Sequence, residues 1–187
     1  MGLQRFFKLL ALCGAAALSF YPRQAGAAAA DPLAARLLQA HNAARAAVGA
    51  APLAWDPALA AGAAAWAQHL AASGRVDHSD RKGRPGIGEN LWSGTRRAYS
   101  IERMVGDWTA ERRHFKPGVF PHNSRTGNWI DVSHYTQVIW PATRRIGSAV
   151  ASGRGRDYLV CRYSPKGNVD GRPLPPPPPS SPVERGH

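Results

Sequence analysis

One short stretch of this 187-residue chain places a histidine and several hydrogen-bonding side chains at the start of an apolar run. The stretch runs from Ser133 to Trp140, and its histidine is His134. Histidine is the side chain whose unperturbed charge change falls near neutral pH, and neutral imidazole is a common metal ligand, so His134 is a candidate for proton transfer or metal binding. A lone histidine beside Tyr135 and Trp140 is more often a hydrogen-bonded core residue. A functional assignment therefore requires partners elsewhere in the chain.

A carboxylate on an apolar helix face is the second candidate. Ser100 can cap a helix. One face of that helix, at steps of four, three and four residues, then contains Met104, Trp108, Glu111 and Phe115. Burial of an unpaired carboxylate is costly, so Glu111 needs hydrogen-bond donors, a cation or a raised pKa.

Two more polar residues lie in a segment of loop composition. Residues 75–94 are rich in charged residues, glycine and proline, which predicts a loop with at most a short strand over residues 87–92. The segment contains His78 and Glu89. Polar side chains in loops are usually only solvated, so this segment by itself assigns neither residue a function.

The positioning elements begin with two helices. Asp31 and Asp56 each precede a proline, an arrangement that predicts a capping carboxylate followed by the first helical residue. Apolar residues recur at helical spacing after each pair, up to Gly49 and Gly74, where the helices are predicted to end.

His41 lies on the apolar face of the first predicted helix. Its neighbours Asn42 and Arg45 could bond across a helical turn. We therefore predict that His41 is a structural histidine with satisfied hydrogen bonds.

A β-hairpin is predicted near the end of the chain. Residues 146–152 and 157–163 have strand composition and flank the turn sequence Gly153-Arg154-Gly155-Arg156. Strand alternation places Cys161 on the same face as Leu159 and Tyr163, which predicts a buried, unreactive thiol. A turn centred between Arg154 and Gly155 would place Ser148 opposite Cys161.

The amino-terminal residues have the composition of a secretory signal peptide. Two basic residues precede the apolar run 9–20, and Ala25-Gly26-Ala27 follows, so we predict a signal peptide over residues 1–27. The run is too short to span a bilayer, and no transmembrane segment is expected in the mature chain. The predicted location is therefore extracytoplasmic, either secreted or periplasmic.

One domain, residues 31–170, is predicted between the signal peptide and a proline-rich end. From Arg172 onward the sequence favours extended polyproline conformation, so residues 171–187 are predicted to be a disordered tail that cannot join a core. Without the signal peptide Cys161 is the one remaining cysteine, so an intrachain disulfide is excluded and stability must come from packing.

The chain is strongly basic, with a formal net charge of +12. Residues 1–27 hold three of the basic and none of the acidic residues, so the mature chain would keep +9. Lysine and arginine are dispersed in runs no longer than two, which favours scattered, solvated charges over a nucleic-acid-binding patch. No nucleic acid partner is expected, and export would favour anionic envelope polymers or lipid headgroups.

Four stretches together resemble the signature motifs of the CAP superfamily, whose common unit is also called the SCP domain. They are residues 41–45, 88–91, 134–140 and 158–169, and they occur in the family's order. The superfamily includes cysteine-rich secretory proteins, venom allergens and plant pathogenesis-related proteins. The resemblance implies an α+β fold, a three-layer α-β-α sandwich with a central antiparallel sheet. The motif residues at matching positions are His41, Asn42, Arg45, Asn90, Tyr135, Gln137, Trp140, Cys161, Tyr163 and Asn168.

The resemblance also implies a central cleft that holds two histidines and two acids, at the positions of His78, Glu89, Glu111 and His134. The intervals between them, 11, 22 and 23 residues, are too long to indicate a metal site by themselves, so only the fold could bring them together. Ser133 departs from the glycine that many members have before the motif histidine. Ser148 stands where many have a cysteine, which indicates a bacterial-type, disulfide-free member.

Two functional hypotheses follow. The leading one is an exported CAP-type binding module, in which His78 and His134 hold Zn²⁺ or another divalent cation weakly. Its expected ligand is a lipid, a sterol-like molecule or an anionic envelope component, with no organic cofactor. The alternative is a metal-dependent hydrolase of an envelope polymer or peptide, with Glu89 or Glu111 as the base. A serine mechanism through Ser79 or Thr136 lacks an evident base.

Overall fold

We describe residues 32–174 of a computed structural model of the protein. The predicted signal peptide, the predicted cap Asp31 and the chain after Leu174 lie outside these residues. Within the described range no helix is both long and apolar enough to cross a membrane. The helices are α1 (Pro32–Ala46), α2 (Pro57–Ser73), α3 (Ile101–Thr109) and α4 (Ser133–Ile139), and the strands are β1 (Ala54–Trp55), β2 (Gly88–Thr95), β3 (Gly118–Val119), β4 (Arg145–Gly153), β5 (Arg156–Ser164) and β6 (Pro173–Leu174).

The main sheet has the strand order β1-β4-β5-β2. Its three long strands are antiparallel, as predicted, while β1 adds a two-residue parallel pair at one edge. The predicted hairpin is β4 and β5, and Ser148 pairs with Cys161 as expected. Arg154 and Gly155 form its two-residue turn with φ values of 51° and 75°, a left-handed pair whose twist matches that of the strands. Strand β2 is longer than predicted and continues to Thr95, because it pairs along its whole length with β5.

The sheet is covered by helices on both faces. In β5 the fully buried Leu159, Cys161 and Tyr163 pack with α1, α3 and α4, whereas Tyr158 and Val160 pack with α2. This alternation follows from the two-residue period of a strand. The predicted three-layer α-β-α sandwich of the α+β class is confirmed.

The predicted signals hold for α2 and for the start of α3, whereas α1 ends at Ala46, three residues before the predicted Gly49. Asp56 accepts hydrogen bonds from two backbone N–H groups at the start of α2, which ends at Gly74 with φ 77°. Ser100 caps α3 by accepting from the N–H of Arg103. The helix after Ser100 is shorter than predicted, because α3 ends at Thr109 and a 3-10 turn, Ala110–His114, continues the chain. Glu111 therefore lies in this turn.

His41 is a buried structural histidine, as predicted. Its Nδ1 donates to the carbonyl oxygen of Leu37 at 2.7 Å, and its Nε2 accepts from the Tyr163 hydroxyl at 2.9 Å. Burial lowers the pKa of His41 to about 4, so the ring is neutral in the fold at neutral pH. The expectation that Asn42 would bond across the turn is wrong, because its amide instead pairs with both backbone groups of Leu53.

Arg45 is fully buried and holds the chain downstream of α4. Its guanidinium donates to four carbonyl oxygens, those of Ala51 at 2.7 Å, Val138 at 2.8 Å, Trp140 at 2.9 Å and Thr143 at 3.1 Å. Burial and the nearby Arg144 lower the pKa of Arg45 to about 10. The predicted bond within its own helix is therefore replaced by bonds to distant segments.

The first residues of the predicted tail belong to the folded domain. Pro173 and Leu174 pair with Val119 and Gly118, and Leu174 is only 2% exposed within the main core. The prediction that the chain cannot join the core from Arg172 onward is thus wrong for this segment. Proline is compatible with an edge strand because its missing N–H can face away from the partner strand.

Cys161 is fully buried, as the strand alternation predicted. Burial raises the pKa of its thiol to about 12, and the Ser148 hydroxyl donates to Sγ at 2.6 Å. Ser148 and Cys161 therefore face each other across β4 and β5. Many CAP proteins have a second cysteine in place of Ser148, and the sequence predicted that no disulfide forms here.

Candidate functional site

A cleft of about 980 Å³ lies where the start of β2 approaches the start of α4 and the chain after β5. His78, Glu89 and His134 line it together with Trp129, Ile130 and the loop containing Asn168. Glu111 lies behind His134 and contacts it directly. The fold thus brings together the four residues that the resemblance implied.

Glu89 holds His78 and its loop against the sheet. The Glu89 side chain is completely buried, and it accepts from His78 Nδ1 at 2.9 Å, from the Ser79 N–H at 2.9 Å and from the Ser79 hydroxyl at 2.6 Å. Burial raises the pKa of Glu89, but the hydrogen bonds from His78 and Ser79 and the charge of Arg84 outweigh it and bring the pKa to about 2. Glu89 is therefore an ionised anchor at neutral pH.

Two arginines complete the surroundings of Glu89. Arg162, its cross-strand partner in β5, lies 3.4 Å from one carboxylate oxygen, and Arg84 lies 3.7 Å from the other. Arg84 also donates to the Ser79 hydroxyl and to the carbonyl of Ile87. The sequence did not indicate Ser79, Arg84 or Arg162 as partners of Glu89. Arg162 reaches Glu89 through the pairing of β2 with β5, which joins residues 73 positions apart.

Glu111 holds His134 from behind. One carboxylate oxygen accepts from His134 Nδ1 at 2.6 Å, and the other accepts from the backbone N–H groups of His134 and Tyr135, both at 3.0 Å. These N–H groups belong to the first turn of α4, which has no side-chain cap of its own. Glu111 therefore supplies the cap that α4 lacks. The sequence left hydrogen-bond donors, a cation or a raised pKa as ways to stabilise this carboxylate, and the structure shows hydrogen-bond donors.

The opposite end of α4 is held by a cation. Arg45 donates to the carbonyl oxygens of Val138 and Trp140, which have no partner within the short helix. Seven residues are too few for an independently stable helix, so the two charged side chains fix its position. Trp108 also stacks on the His134 ring, with the ring centroids 6.1 Å apart.

The remaining polar residues of the motif join α4 to the chain around the cleft. Asn90 donates to the His134 carbonyl at 3.1 Å. Gln137 accepts from the Gly167 N–H at 2.8 Å, and Asn168 donates to the Ser133 carbonyl at 2.8 Å. These contacts give the motif residues a positioning role rather than a chemical one.

The tetrad forms two His–Glu pairs. Within residues 32–174, no group of three or more histidine, cysteine, aspartate or glutamate side chains lies close enough to hold a metal ion. Each histidine uses Nδ1 for its carboxylate, which leaves Nε2 as the ring atom able to bind a ligand. The His78 side chain is 55% exposed and that of His134 is 32% exposed, so both rings are accessible from the cleft.

The sequence profile of the cysteine-rich secretory protein family, CAP, matches residues 38–163. The chain belongs to this family. A pathogenesis-related protein of the PR-1 type from Sambucus nigra is 39% identical to it over 136 residues, which is 72% of this chain and 77% of that protein.

Solved structures of CAP proteins share the fold. BmVAL-1 superposes with a TM-score of 0.66 at 22% identity, over 79% of this chain and 84% of that one. NaASP2, solved with Zn²⁺, gives a TM-score of 0.65 at 22% identity, over 79% of this chain and 87% of that one. At this identity the likeness concerns the fold alone.

Proposed function

We propose that this CAP protein is an exported binding module whose cleft holds a divalent cation weakly between His78 and His134 and binds an amphiphilic ligand beside it. The observation that carries the cation proposal is the pairing of each imidazole with a carboxylate through Nδ1. This is the usual arrangement behind a metal-binding histidine, because it fixes the tautomer and leaves the lone pair of Nε2 for the metal.

The donor set fits zinc or a similar borderline cation, and it fits weak binding. His78 and His134 would be the protein ligands, with water in the other positions, whereas structural zinc sites have four protein ligands. A bound cation would supply a positive charge in the cleft and join its two histidine walls. NaASP2 has been solved with Zn²⁺, so zinc is the first cation to test.

The cleft lining supports a ligand with both an apolar part and an anionic group. Trp129 is 39% and Ile130 is 58% exposed, although both are large and apolar. Arg81, Arg84 and Lys166 line the same cleft. Exposed apolar surface beside charged groups is typical of a binding site, and here it favours a lipid, a sterol-like molecule with an acidic group, or an amphiphilic envelope component.

The geometry favours binding over hydrolysis. A general base works best when its pKa lies near the working pH, whereas the pKa of Glu89 is about 2. Both oxygens of Glu89 and both oxygens of Glu111 already accept hydrogen bonds from the protein. These bonds favour a supporting role for both carboxylates over the activation of water.

Zinc calorimetry tests the cation site. We expect measurable affinity in the wild type, most of it lost in His78→Ala or His134→Ala and all of it lost in the double variant. Glu89→Gln should weaken binding by about 10- to 100-fold, the usual loss when a supporting hydrogen bond to a metal ligand is removed. Affinity should fall as the pH is lowered, because only neutral imidazole binds the metal and protons compete for it.

His69→Ala is the matched control, since His69 is exposed on α2 and stacks on Trp66. It should leave zinc affinity unchanged. Equal affinity in the wild type and the double variant would show that the His–Glu pairs are only a structural cluster.

Lipid extraction tests the amphiphile. Mass spectrometry of organic extracts from the purified protein should detect a bound lipid, and Ile130→Asp should reduce its yield because a charge then replaces exposed apolar surface. The hydrolase hypothesis would replace the binding-module hypothesis if two results were obtained together. The extracts would contain no lipid, and the protein would cleave an envelope polymer in a metal-dependent reaction that is lost in His134→Ala.

A further inference from the structure

The end of the main sheet remote from the cleft carries five exposed arginines, which we call the arginine face. The cleft lies at the Gly88 end of β2, and this cluster lies at the Thr95 end, about 23 Å away for the seven steps between these residues at about 3.3 Å each. Its members come from separate parts of the sequence and are Arg75, Arg96, Arg97, Arg154 and Arg156. Arginines that are far apart in the sequence therefore lie close together on the surface.

Backbone contacts join the segment after β2 to the hairpin turn. The N–H of Arg96 donates to the carbonyl of Gly155 at 3.0 Å, and the N–H of Arg97 donates to the carboxylate of Asp157 at 2.7 Å. The arginine pair at the end of β2 is thus fixed directly against the turn between β4 and β5.

Side-chain contacts extend the surface on both sides of the turn. Arg156 donates to the hydroxyl of Ser93 at 2.9 Å. Arg154 lies against the end of α2, where a Cβ added at Gly74 would come within 2.7 Å of its Cδ. Arg75 is the next residue after Gly74. The resulting surface crosses strands β2, β5 and β4, a width of about 10 Å at about 4.8 Å per strand spacing.

The positive charge of this surface is only partly compensated. Asp77 pairs with Arg75 at 2.8 Å, and the buried Asp157 accepts from the backbone of Arg97 and from a serine hydroxyl. Within the described part of the chain, the side chains of Arg96 and Arg97 form no hydrogen bond or ion pair.

Backbone conformation distinguishes the roles of two of these arginines. Arg97 and Arg154 have φ values of 60° and 51°, in the left-handed region that glycine and asparagine occupy more easily. Arg154 bonds the Ala72 carbonyl, which gives it a structural role, but the side chain of Arg97 has no such bond. The backbone of Arg97 is held by a turn, in which the Ala98 N–H donates to the Thr95 carbonyl at 3.1 Å, and by the bond from its own N–H to Asp157, so its side chain is presented at a fixed position.

We propose that the arginine face is a second binding surface, for linear polyphosphate, a polymer of repeated phosphate groups without nucleobases. Guanidinium groups form paired, planar hydrogen bonds with phosphate, and all five cations here are arginine rather than lysine. A row of cations about 10 Å wide is wider than one phosphate and suits a repeating anion. The exposed Val76 and Tyr99 lie within two residues of Arg75 and Arg97 in the sequence, so a membrane surface is the competing partner that the vesicle comparison below tests.

Binding of long-chain inorganic polyphosphate over a salt series tests the proposal. We expect the slope of log K against log salt to become less steep by about two units in Arg96→Gln with Arg97→Gln, about one unit per lost phosphate contact. The matched control is Arg112→Gln with Arg113→Gln, an adjacent pair that is also exposed but lies outside the arginine face, which should keep the wild-type slope. Equal slopes in the two double variants, or no binding in the wild type, would overturn the proposal.

Arg97→Asn separates binding from folding. Asparagine tolerates the left-handed conformation better, so the variant should unfold at the same or a higher temperature while it binds polyphosphate less tightly. A lower unfolding temperature with unchanged binding would make Arg97 purely structural.

Three comparisons identify the partner. Orthophosphate should bind far more weakly than polyphosphate, and stronger binding to phosphatidylglycerol vesicles or to a single-stranded oligodeoxynucleotide would overturn the assignment. His78→Ala with His134→Ala should keep polyphosphate binding, because the cleft is a separate site.

Discussion

Acid should remove the stability that Glu89 contributes, over a pH range that the structure defines. The pKa of this buried carboxylate is about 2 in the fold, against an ordinary value of 4.5. Because the pKa is lower in the folded state, the contribution is complete above about pH 4.5 and is lost as the pH falls through about 2. The difference of about 2.5 units corresponds to about 3 kcal/mol, at about 1.4 kcal/mol per unit.

Glu89→Gln removes this dependence and leaves Arg84 and Arg162 without their counter-charge. The variant should be less stable than the wild type by several kcal/mol near neutral pH, about 3–5 for a broken buried pair. The gap should close by about 3 kcal/mol between about pH 5 and about pH 2, as the wild-type carboxylate becomes protonated. His41, with its pKa lowered by burial to about 4, loses its contribution between about pH 6.5 and 4 in both proteins, so it does not change the difference.

Urea unfolding followed by tryptophan fluorescence, repeated at several pH values, measures the gap. Glu102→Gln is the control, because the pKa of Glu102 is also lowered to about 2, chiefly by the hydrogen bond from Arg36, but the pair is exposed to solvent and contributes little. A gap between wild type and Glu89→Gln that stays constant with pH would refute the reasoning. So would an equal pH dependence in the Glu102 variant.

Three further outcomes follow from buried contacts. Arg45→Met should lower the free energy of unfolding by about 4 kcal/mol in urea titrations, at about 1 kcal/mol for each of four hydrogen bonds lost, and a loss below about 1 kcal/mol would contradict the role of Arg45. Cys161 should react with a thiol reagent only after denaturation, and rapid labelling of the native protein would contradict its burial. Leu174→Ala should cost about 2–5 kcal/mol in thermal unfolding, whereas the exposed Pro173→Ala should cost little.

The parts of the fold that short-range chemistry determines could be predicted from the sequence. The turn at Arg154 and Gly155 fixed the register of the hairpin, and Asp56 and Ser100 marked helix starts, because each signal acts within a few residues. The inward position of Glu111 was also predictable from helical spacing, even though its turn is 3-10 rather than α-helical.

Contacts between distant segments were not predictable from local patterns. The spacing around Arg45 gave no sign of its bonds to the carbonyls after α4, which lie more than 90 positions away. The partners of Glu89 depend on the register between β2 and β5, and the arginine face depends on three segments meeting at one turn. Leu174 was missed because the proline-rich composition around it outweighed a single apolar residue.

The anchoring of α4 at both ends also limits how its sequence can vary. Adding or removing one residue would turn one end of the helix by about 100° and shift it by about 1.5 Å. Glu111 and Arg45 could not then both reach their backbone partners, so residues 133–139 should tolerate substitutions more readily than insertions or deletions. We therefore expect length differences among related chains to fall in the loops that line the cleft, which would alter its shape while His134 stays in place.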